Sequence, residues 1–317
     1  MKTPCLIIAF SRTVGIERLL ASLHPSEISE LFVVIDGPTS PTVESIQTEI
    51  RSILELYSIR NSLALKIWQR TDNLGVAKGI ISAIDWFFSY VDYGVVLEDD
   101  LEIGQDFFRF VNENKNLLDS IDDLLLISGN QFHQNVGTVS DLNWTNYPLI
   151  WGWATTRIKW NEMRLGILDV SFDLKSNFFN KVSNFWRVGA LRVRALEVDT
   201  WDIPLANYML THKKLCLTPN VNLVSNRGVD EFAAHTTTIH FPLNLPTDTL
   251  NSLVVSDFPN ERDVELCNNF LEKSVFKIKS RHRFVYCYFL ITKHFRPTRN
   301  CKGLSQALSR VEIPKSI

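Results

Sequence analysis

The stretch Gly94-Val95-Val96-Leu97-Glu98-Asp99-Asp100 is the part of the sequence from which the fold is most directly predicted. Its apolar residues Val95-Val96-Leu97 are typical of a short buried strand, and three carboxylates follow at the carboxyl end of that strand. Adjacent carboxylates repel one another, and a divalent cation with hard oxygen ligands offsets this repulsion. Acidic residues are also favoured in the first turn of a helix, which is the alternative explanation. The stretch therefore predicts a strand that ends either in a metal site or in a helix start.

Apolar runs of similar length occur on both sides of this stretch, and segments with helical periodicity separate them. The predicted strands are Cys5 to Phe10, Leu31 to Ile35, Ala64 to Trp68, Gly94 to Leu97 and Leu124 to Ile127. The clearest predicted helix runs from Val76 to Tyr90, because apolar residues recur there at intervals of three and four. Further helices are predicted over Gln105 to Leu118, Phe178 to Leu196 and Trp201 to Thr211. This alternation is typical of an α/β fold, in which helices cover both faces of a parallel sheet.

Polar residues follow the predicted strands at each point where a strand ends. Ser11-Arg12 follows the first strand, Asp36-Gly37-Pro38 the second, and Arg70-Thr71-Asp72-Asn73 the third, with Gly75 and Lys78 just beyond it. Each of these segments alone is a common turn or helix start. Ligands of open parallel sheets bind beyond the carboxyl ends of the strands. Together with Glu98-Asp99-Asp100, these residues therefore predict a site for a base, a diphosphate and its metal.

Composition and motifs narrow the functional class. The 317 residues are 45% hydrophobic, 11% aromatic and 21% charged, with a net charge of -2, which is typical of a globular protein with a full core. The fingerprints GxGxxG and GxxxxGK[ST] are absent, which argues against dinucleotide-binding and P-loop proteins. A Gly-x-Ser-x-Gly elbow is absent as well. The segment Ser11 to Gly15 also lacks the Gly-rich loop with Arg and Lys that a sugar nucleotidyltransferase would need.

The strand-end residues resemble those of the glycosyltransferases of the A fold, in which an acidic motif holds a divalent metal against a nucleotide-sugar diphosphate. Over roughly the first 110 residues the order and spacing look like the N-acetylglucosaminyltransferase I family. The matching segments are Ile7 to Arg12 with Arg18-Leu19-Leu20, Val34 to Gly37, and Val96 to Ile103 with Asp106-Phe107-Phe108. The later segments Trp151 to Ala154 and Leu217 to Asn226 resemble bacterial glycosyltransferase-2-like (HlpA-like) proteins, which mostly belong to surface-polysaccharide synthesis.

This resemblance implies a Rossmann-like, mostly parallel sheet flanked by helices, with a C-terminal acceptor-side region. Residues 1–130 are then the nucleotide-sugar-binding half and residues 131–245 the acceptor-side and catalytic half. Residues 246–317 are a linker and a basic C-terminal segment. The implied activity is metal-dependent, inverting transfer of a sugar from a nucleoside-diphosphate donor to a hydroxyl of a surface polysaccharide or lipid-linked glycan. The alternative is a catalytically silent sugar-nucleotide-binding subunit of a polysaccharide assembly complex.

The resemblance also implies roles for individual donor-binding residues. Arg12 contacts the donor diphosphate, Asp36 the uracil edge of a UDP donor, and Asp99 the ribose or diphosphate region. An arginine fork suits phosphate, and a carboxylate accepts from an N–H of the base. Asp100 holds Mn²⁺ or Mg²⁺ directly. The other donor-side residues are Glu98, which is structural or ribose-facing, and Asn73 and Lys78. GlcNAc and other hexoses stay open as the sugar.

The later half supplies the catalytic and acceptor-side residues by the same resemblance. Asp202 in Trp201-Asp202 is the predicted general base, which takes the proton of the acceptor hydroxyl. Ile203-Pro204 departs from the family pattern here, so Asp199 is a rival base, and a helix N-cap is the structural alternative for Asp202. His235 is a predicted second metal ligand or else a loop histidine. The residues Trp151, Gly152, Trp153 and Trp201 are predicted to line the acceptor or sugar pocket, with the hydrophobic core as the alternative.

The C-terminal segment and the cysteines bear on location. Eleven Lys or Arg residues and one acid, Glu312, lie between Lys273 and Lys315. Two explanations stay open, namely peripheral contact with an anionic membrane and a helix packed on the domain with a solvated basic face. Nucleic-acid binding is not predicted, because the positive charge is confined to this segment. Five scattered cysteines and no predicted membrane span favour a cytoplasmic protein, with the inner face of the membrane as an open alternative.

Overall fold

The computed structural model describes residues 2–132, 142–169, 181–228, 243–250, 260–284 and 303–314. Its first four strands are β1 (Thr3–Ala9), β2 (Ile28–Ile35), β3 (Ala64–Gln69) and β4 (Tyr93–Glu98). They lie in the order β3-β2-β1-β4 and are mutually parallel. These four of the five predicted strands are therefore confirmed, each within three residues of its predicted ends. Their carboxyl ends lie along one edge of the sheet.

The later strands complete the same sheet. A short strand β5 (Leu101–Ile103) follows β4. The remaining strands are β6 (Leu124–Ser128), β7 (Leu142–Thr145), β8 (Trp153–Thr156), β9 (Leu215–Pro219) and β10 (Val224–Asn226). The order continues from β4 as β8-β6-β9-β7, in which β8 and β7 run against the other strands. Strands β5 and β10 form a separate antiparallel pair. The predicted α/β class with a mostly parallel, Rossmann-like sheet is confirmed, and the two predicted halves share one sheet.

The inner strands form because their side chains are buried on both faces, whereas β3 lies at the edge of the sheet and is only partly buried. In β1, Cys5, Ile7 and Ala9 pack into one hydrophobic cluster, whereas Leu6 packs into another on the opposite face. This alternation follows from the two-residue period of a strand. The five residues 31–35 of β2 are fully buried. Such continuous apolar runs are typical of parallel strands that are covered on both sides.

Helices cover both faces of the sheet. Those on the face of Cys5 and Ile7 are α1 (Thr13–Ser22), α2 (Pro41–Asn61), α4 (Phe107–Glu113) and α5 (Leu117–Ser120). Those on the face of Leu6 are α3 (Gly75–Tyr90), α6 (Arg157–Leu168), α7 (Lys181–Arg194), α8 (Asp202–Thr211) and α10 (Gly303–Leu308). Helix α9 (Glu261–Phe270) continues into a π-helical turn, Leu271–Val275, and Ser280–Phe284 forms a 3₁₀ turn.

The predicted helices agree with the structure except for one that is divided. Helices α3 and α8 begin one residue away from their predicted starts and end where predicted, and α7 lies within the predicted range 178–196. The segment predicted as one helix over 105–118 is instead α4 and α5, separated at residues 114–116. Asn114 caps α4, because its side-chain amide donates 2.9 Å to the Phe110 carbonyl.

Helix α3 is the best-packed element beside the predicted site. Its Trp86 and Phe87 pack edge-on against Phe32 of β2, with ring centroids 5.6 and 5.1 Å apart. Such aromatic contacts add roughly 0.5–1.5 kcal/mol each beyond the burial of apolar area. These contacts hold the carboxyl-terminal half of α3 against β2.

Two further predictions concern location. None of the helices described is long and apolar enough to cross a membrane. Cys5, Cys216 and Cys267 are buried free thiols, whereas Cys287 and Cys301 lie outside the described residues. Much of the predicted basic segment, residues 285–302, lies outside them as well. Membrane contact and cytoplasmic location stay predictions.

Candidate functional site

A cavity of about 340 Å³ opens at the carboxyl ends of β1, β2 and β4, beside the first turn of α3. This volume lies within the range of small-molecule sites. The lining residues that carry polar side chains are Ser11, Arg12, Asp36, Thr39, Arg70, Asn73, Glu98, Asp99 and Asp199. The structure thus brings together polar residues from four strand exits, as the sequence pattern predicts. Asp199 comes from a segment more than a hundred residues later in the chain.

Asp99 connects the exit of β4 to the exit of β1. Its carboxylate accepts hydrogen bonds from the Phe10 N–H at 2.9 Å and from Nη1 of Arg12 at 3.0 Å. Its own N–H donates to the Ile8 carbonyl at 3.1 Å. The Asp99 side chain is only 7% exposed, so these charge-assisted bonds offset the cost of burying its charge.

Asp100 lies on the other side of the Arg12 guanidinium. Its Oδ2 accepts from Nη1 of Arg12 at 3.2 Å, so one arginine contacts two neighbouring carboxylates. The Arg227 N–H donates 2.8 Å to the Asp100 carbonyl. Gly228 follows, and a Cβ at that position would lie 2.5 Å from Asp100 Oδ2. The chain after β10 therefore packs closely on the Asp100 carboxylate.

Glu98 is the third carboxyl of the triplet, and its pKa is raised to about 8. The largest cause is burial, followed by the negative charges of Asp100, Asp99 and Asp202, while Arg12 acts in the opposite direction. Because Asp202 contributes, its carboxylate lies within electrostatic reach of Glu98. One guanidinium does not neutralise three carboxylates, and Glu98 therefore holds its proton most readily.

We expect Glu98→Gln to stabilise the metal-free protein at alkaline pH. A carboxyl whose pKa is raised on folding contributes its full stability below its unfolded pKa of 4.5, and loses it as the pH rises towards about 8. The variant removes this loss, so its advantage in unfolding free energy should grow between those pH values to roughly 2–4 kcal/mol. Urea denaturation in EDTA from pH 4.5 to 9 measures this difference in unfolding free energy.

Glu55→Gln is the matched control, because the Glu55 side chain is 48% exposed on α2. Its unfolding free energy should follow that of the unmodified protein at every pH. If the difference between Glu98→Gln and the unmodified protein is the same at pH 4.5 and pH 9, the carboxyl of Glu98 does not titrate as described.

Asp36 and Arg70 form an ion pair on the β2 and β3 side of the cavity. Nη1 of Arg70 donates to Asp36 Oδ1 at 3.1 Å, and the Leu74 N–H donates to both Asp36 oxygens at 3.1 and 3.2 Å. Nη2 of Arg70 donates to the Gly79 carbonyl and to Ser82 Oγ. Burial lowers the pKa of Arg70, and Asp36 opposes this shift. The pair connects two strand exits to α3.

Asn73 lies at the cavity, whereas Lys78 does not. The Asn73 amide donates to the Gly37 carbonyl at 3.1 Å, and its Oδ1 accepts from the Gly75 N–H at 3.2 Å. Lys78 instead lines a separate cavity of about 580 Å³ between the end of β3 and residues 307–312. Lys78 is therefore not among the residues that line the first cavity, and its donor-binding role stays a prediction.

Asp202 is the first residue of α8, and its negative charge contributes to the raised pKa of Glu98. Its Oδ1 accepts from the Ile203 N–H at 2.9 Å and from Thr200 Oγ1. Its Oδ2 accepts no hydrogen bond from the described residues. Asp199, the rival base, has both carboxylate oxygens bonded to N–H groups of α3 at 2.8 Å. Asp199 therefore has both oxygens hydrogen-bonded, whereas Asp202 has one oxygen without a hydrogen bond from the described residues.

The tryptophans are divided between the core and the surface. Trp153 and Trp201 are 1% and 2% exposed and are stacked with ring centroids 5.9 Å apart. Their burial beneath α6 and α8 favours the alternative that they belong to the hydrophobic core and not to the wall of a sugar pocket. Trp151 is partly exposed and packs edge-on against Phe132 at 4.9 Å. Gly152 has a φ of 65° and is buried against Val224, so it serves the turn before β8.

The oxygen atoms around Asp100 are the candidate ligands for a divalent cation. No group of three or more His, Cys, Asp or Glu side chains in the described ranges is arranged to hold a metal ion, and His235 is outside them. Mg²⁺ and Mn²⁺ are commonly held by one or two carboxylates together with substrate phosphates and water. Asp100, 16% exposed beside Arg12, fits that kind of site and not an all-protein cage.

Comparisons with known proteins add little to this geometry. No protein-family model and no curated protein matches the sequence. Among solved structures, the fold is similar to a UDP-glucose pyrophosphorylase complexed with UDP-glucose, with 9% identity and a TM-score of 0.36. The match covers 69% of this chain and 90% of that one. A likeness at this level carries no argument about function, so the site itself must carry it.

Proposed function

We propose that this protein is a nucleotide-sugar-dependent glycosyltransferase whose donor binds in the cavity at the ends of β1, β2 and β4. The observation that carries the proposal is the convergence of Arg12, Asp36, Asp99 and Glu98 on one cavity, with Asp202 within electrostatic reach. A cation, carboxylate acceptors and a candidate base are the groups that binding and transfer from a sugar diphosphate require.

The donor-binding roles are assigned by chemistry. Arg12 binds a diphosphate oxygen, because its guanidinium presents a donor fork at the cavity wall. Asp36 accepts from an N–H of the base through lone pairs beyond those that receive Arg70 and Leu74. Asn73 and Asp99 lie beside these two side chains. A uracil base follows from Asp36 alone, and GlcNAc and other hexoses remain candidates for the sugar.

Transfer proceeds with inversion in this proposal. The oxygen of an acceptor hydroxyl attacks the anomeric carbon while the bond from that carbon to the diphosphate oxygen breaks. Oδ2 of Asp202 takes the hydroxyl proton, and Arg12 stabilises the charge on the departing nucleoside diphosphate. The acceptor is a glycan or lipid-linked glycan of a surface polysaccharide.

Asp100 is the residue that would hold Mn²⁺ or Mg²⁺. A bound divalent cation neutralises diphosphate charge in reactions of this kind. In the structure the positive charge beside Asp100 comes from Arg12, which also contacts Asp99. Arg12 therefore pairs with Asp99 and Asp100 in the free protein and becomes available to the diphosphate when these carboxylates gain another positive partner.

The experiment that tests donor binding is thermal unfolding with UDP and Mn²⁺. At about 100 times the Kd, a ligand stabilises by about 2.7 kcal/mol, which raises the Tm of a domain of this size by several degrees. We expect Asp100→Ala to abolish the Mn²⁺-dependent part of this shift. If UDP gives no shift and another nucleotide does, the role of Asp36 is refuted; if no nucleotide does, the function is refuted.

Asp92→Ala is the matched control for Asp100→Ala. Asp92 precedes β4 and Asp100 follows it, so the two residues lie at opposite ends of the same strand. The Asp92 side chain is 90% exposed and pairs only with Arg157 among the described residues. Its loss should leave the UDP and Mn²⁺ shifts unchanged.

A further inference from the structure

Asp199 makes a polar contact of two hydrogen bonds between the two halves of the chain at the cavity. It lies in the segment between α7 and α8, and its carboxylate receives the Val76 N–H on Oδ2 and the Ala77 N–H on Oδ1, both at 2.8 Å. These are first-turn amides of α3, which have no partner within their own helix. A carboxylate bound there is also favoured by the helix dipole.

The backbone of α3 is shaped to receive this carboxylate. Gly75 has a φ of 74°, a conformation that side chains with a Cβ rarely adopt. A Cβ on Gly75 would lie 2.4 Å from Asp199 Oδ2. Leu74 at the N-cap offers no side-chain cap of its own. Asp199 therefore caps the amino-terminal end of α3, although it lies 122 positions after Ala77 in the sequence.

The same segment carries Asp202. Trp201 anchors it in the core by stacking on Trp153, and Thr200 donates to Asp202 Oδ1. The segment is therefore fixed on one side by a buried tryptophan and on the other by the contact of Asp199 with α3. Asp202 is the residue directly after Trp201, and its charge acts on Glu98.

We propose that Asp199 is a positioning residue that fixes the Asp202 segment against α3 and so holds the Asp202 carboxylate near Glu98, which lines the donor cavity. This inference rests on the proposed function for its kinetic consequence, but its structural part does not. Asp199 is assigned the positioning role and not that of the base, because each of its oxygens already accepts a backbone N–H bond, whereas Oδ2 of Asp202 accepts none from the described residues.

The test uses Asp199→Asn, Asp199→Ala and Gly75→Ala in the full chain. Hydrogen exchange by mass spectrometry on peptides covering residues 73–79 and 195–205 reports the contact without any ligand. We expect exchange to rise in both regions in Asp199→Ala, and in Gly75→Ala because the new Cβ displaces the carboxylate. Asp199→Asn keeps one acceptor and should show a smaller rise.

Hydrolysis of UDP-N-acetylglucosamine with Mn²⁺ reports the consequence for catalysis. We expect kcat of Asp199→Ala to fall on the order of 10²-fold, the effect of a misplacement of about 1 Å, with the KM for the donor unchanged. The acidic limb of the pH profile should persist, because Asp202 is still present. Asn260→Ala, which removes the side-chain cap of α9, is the control and should leave kcat unchanged.

Each outcome decides the inference. If Asp199→Ala raises exchange only in 73–79, Asp199 is merely a cap of α3 and the inference is overturned. If the acidic limb disappears in Asp199→Asn, Asp199 is the base and the inference is overturned as well. If the unmodified protein does not hydrolyse the donor, the proposed function fails in that assay, and the exchange in 195–205 still decides whether Asp199 fixes the segment.

Discussion

Replacing Asp202 by Asn should lower kcat for sugar transfer or donor hydrolysis by about 10²–10⁴-fold, the usual contribution of a general base. Asn is of equal size and can still accept from Thr200 and the Ile203 N–H through its carbonyl oxygen, so the start of α8 is retained. What it loses is the acceptor at Oδ2. Product release of UDP, followed over pH 5 to 9, measures the loss of rate and of the acidic limb.

The binding of UDP separates this effect from a general loss of structure. The Kd of UDP with Mn²⁺ should be unchanged in Asp202→Asn or slightly lower, because a negative charge near the diphosphate has been removed. Asp263→Asn is the matched control, since Asp263 also lies in the first turn of a helix and accepts a side-chain hydrogen bond from Asn260. Its kcat should not change.

Two results would contradict the catalytic role of Asp202. If the Asp202→Asn variant turns over the donor at the same rate as the unmodified protein, Asp202 is not the base. If the unmodified protein binds UDP but never turns over a donor with any acceptor, the alternative of a catalytically silent sugar-nucleotide-binding subunit is favoured, and the bond pattern around Asp202 is then only structural.

The sheet was predictable because its strands are buried on both faces. In β2 and β4 nearly every residue is apolar, and the helical periodicity of α3 is uninterrupted from Val76 onwards. The antiparallel strands β7 and β8 were not predicted. Trp153-Ala154-Thr155-Thr156 in β8 has four residues and no regular apolar pattern, and it is a strand because it pairs between β4 and β6. Local sequence does not encode such pairing.

The strand exits were predictable for the same topological reason, but the partners of each side chain were not. Parallel strands bring Arg12, Asp36 and Glu98 to one edge whatever their side chains do. Whether Asp36 meets a ligand or Arg70 depends on the distance between β2 and α3. The direction of Lys78 depends on the rotation of α3, and the burial of Trp153 and Trp201 on the packing of α6 and α8. These are tertiary properties.

Asp199 shows this limit most clearly. Sequence reasoning could offer it only as a rival to Asp202, because the two residues are near neighbours of the same type. Its contact with Val76 and Ala77 links residues more than 120 positions apart. Gly75 was the available signal, since a Gly just before a helical pattern often marks a close approach or a positive φ.

Replacing Arg70 by Met should destabilise the protein by about 3–5 kcal/mol, as is typical when one partner of a buried ion pair is removed. The Arg70 side chain is 4% exposed and that of Asp36 13%, so the Asp36 carboxylate would stay largely buried with only the Leu74 N–H as a partner among the described residues. The Gly79 carbonyl and Ser82 would also lose a donor. Urea denaturation at pH 7 measures the change.

A double-mutant cycle separates the ion pair from the loss of packing. In Arg70→Met with Asp36→Asn, the stranded charge is gone, so the double variant should be more stable than the sum of the two single changes predicts, by about 0.5–3 kcal/mol. Arg51→Met is the control, because Arg51 and Glu55 are about half exposed and such pairs contribute at most about 1 kcal/mol. Additive single changes would mean that Asp36 does not depend on Arg70 for its charge, and that Asp36 is held at the cavity by Leu74 alone.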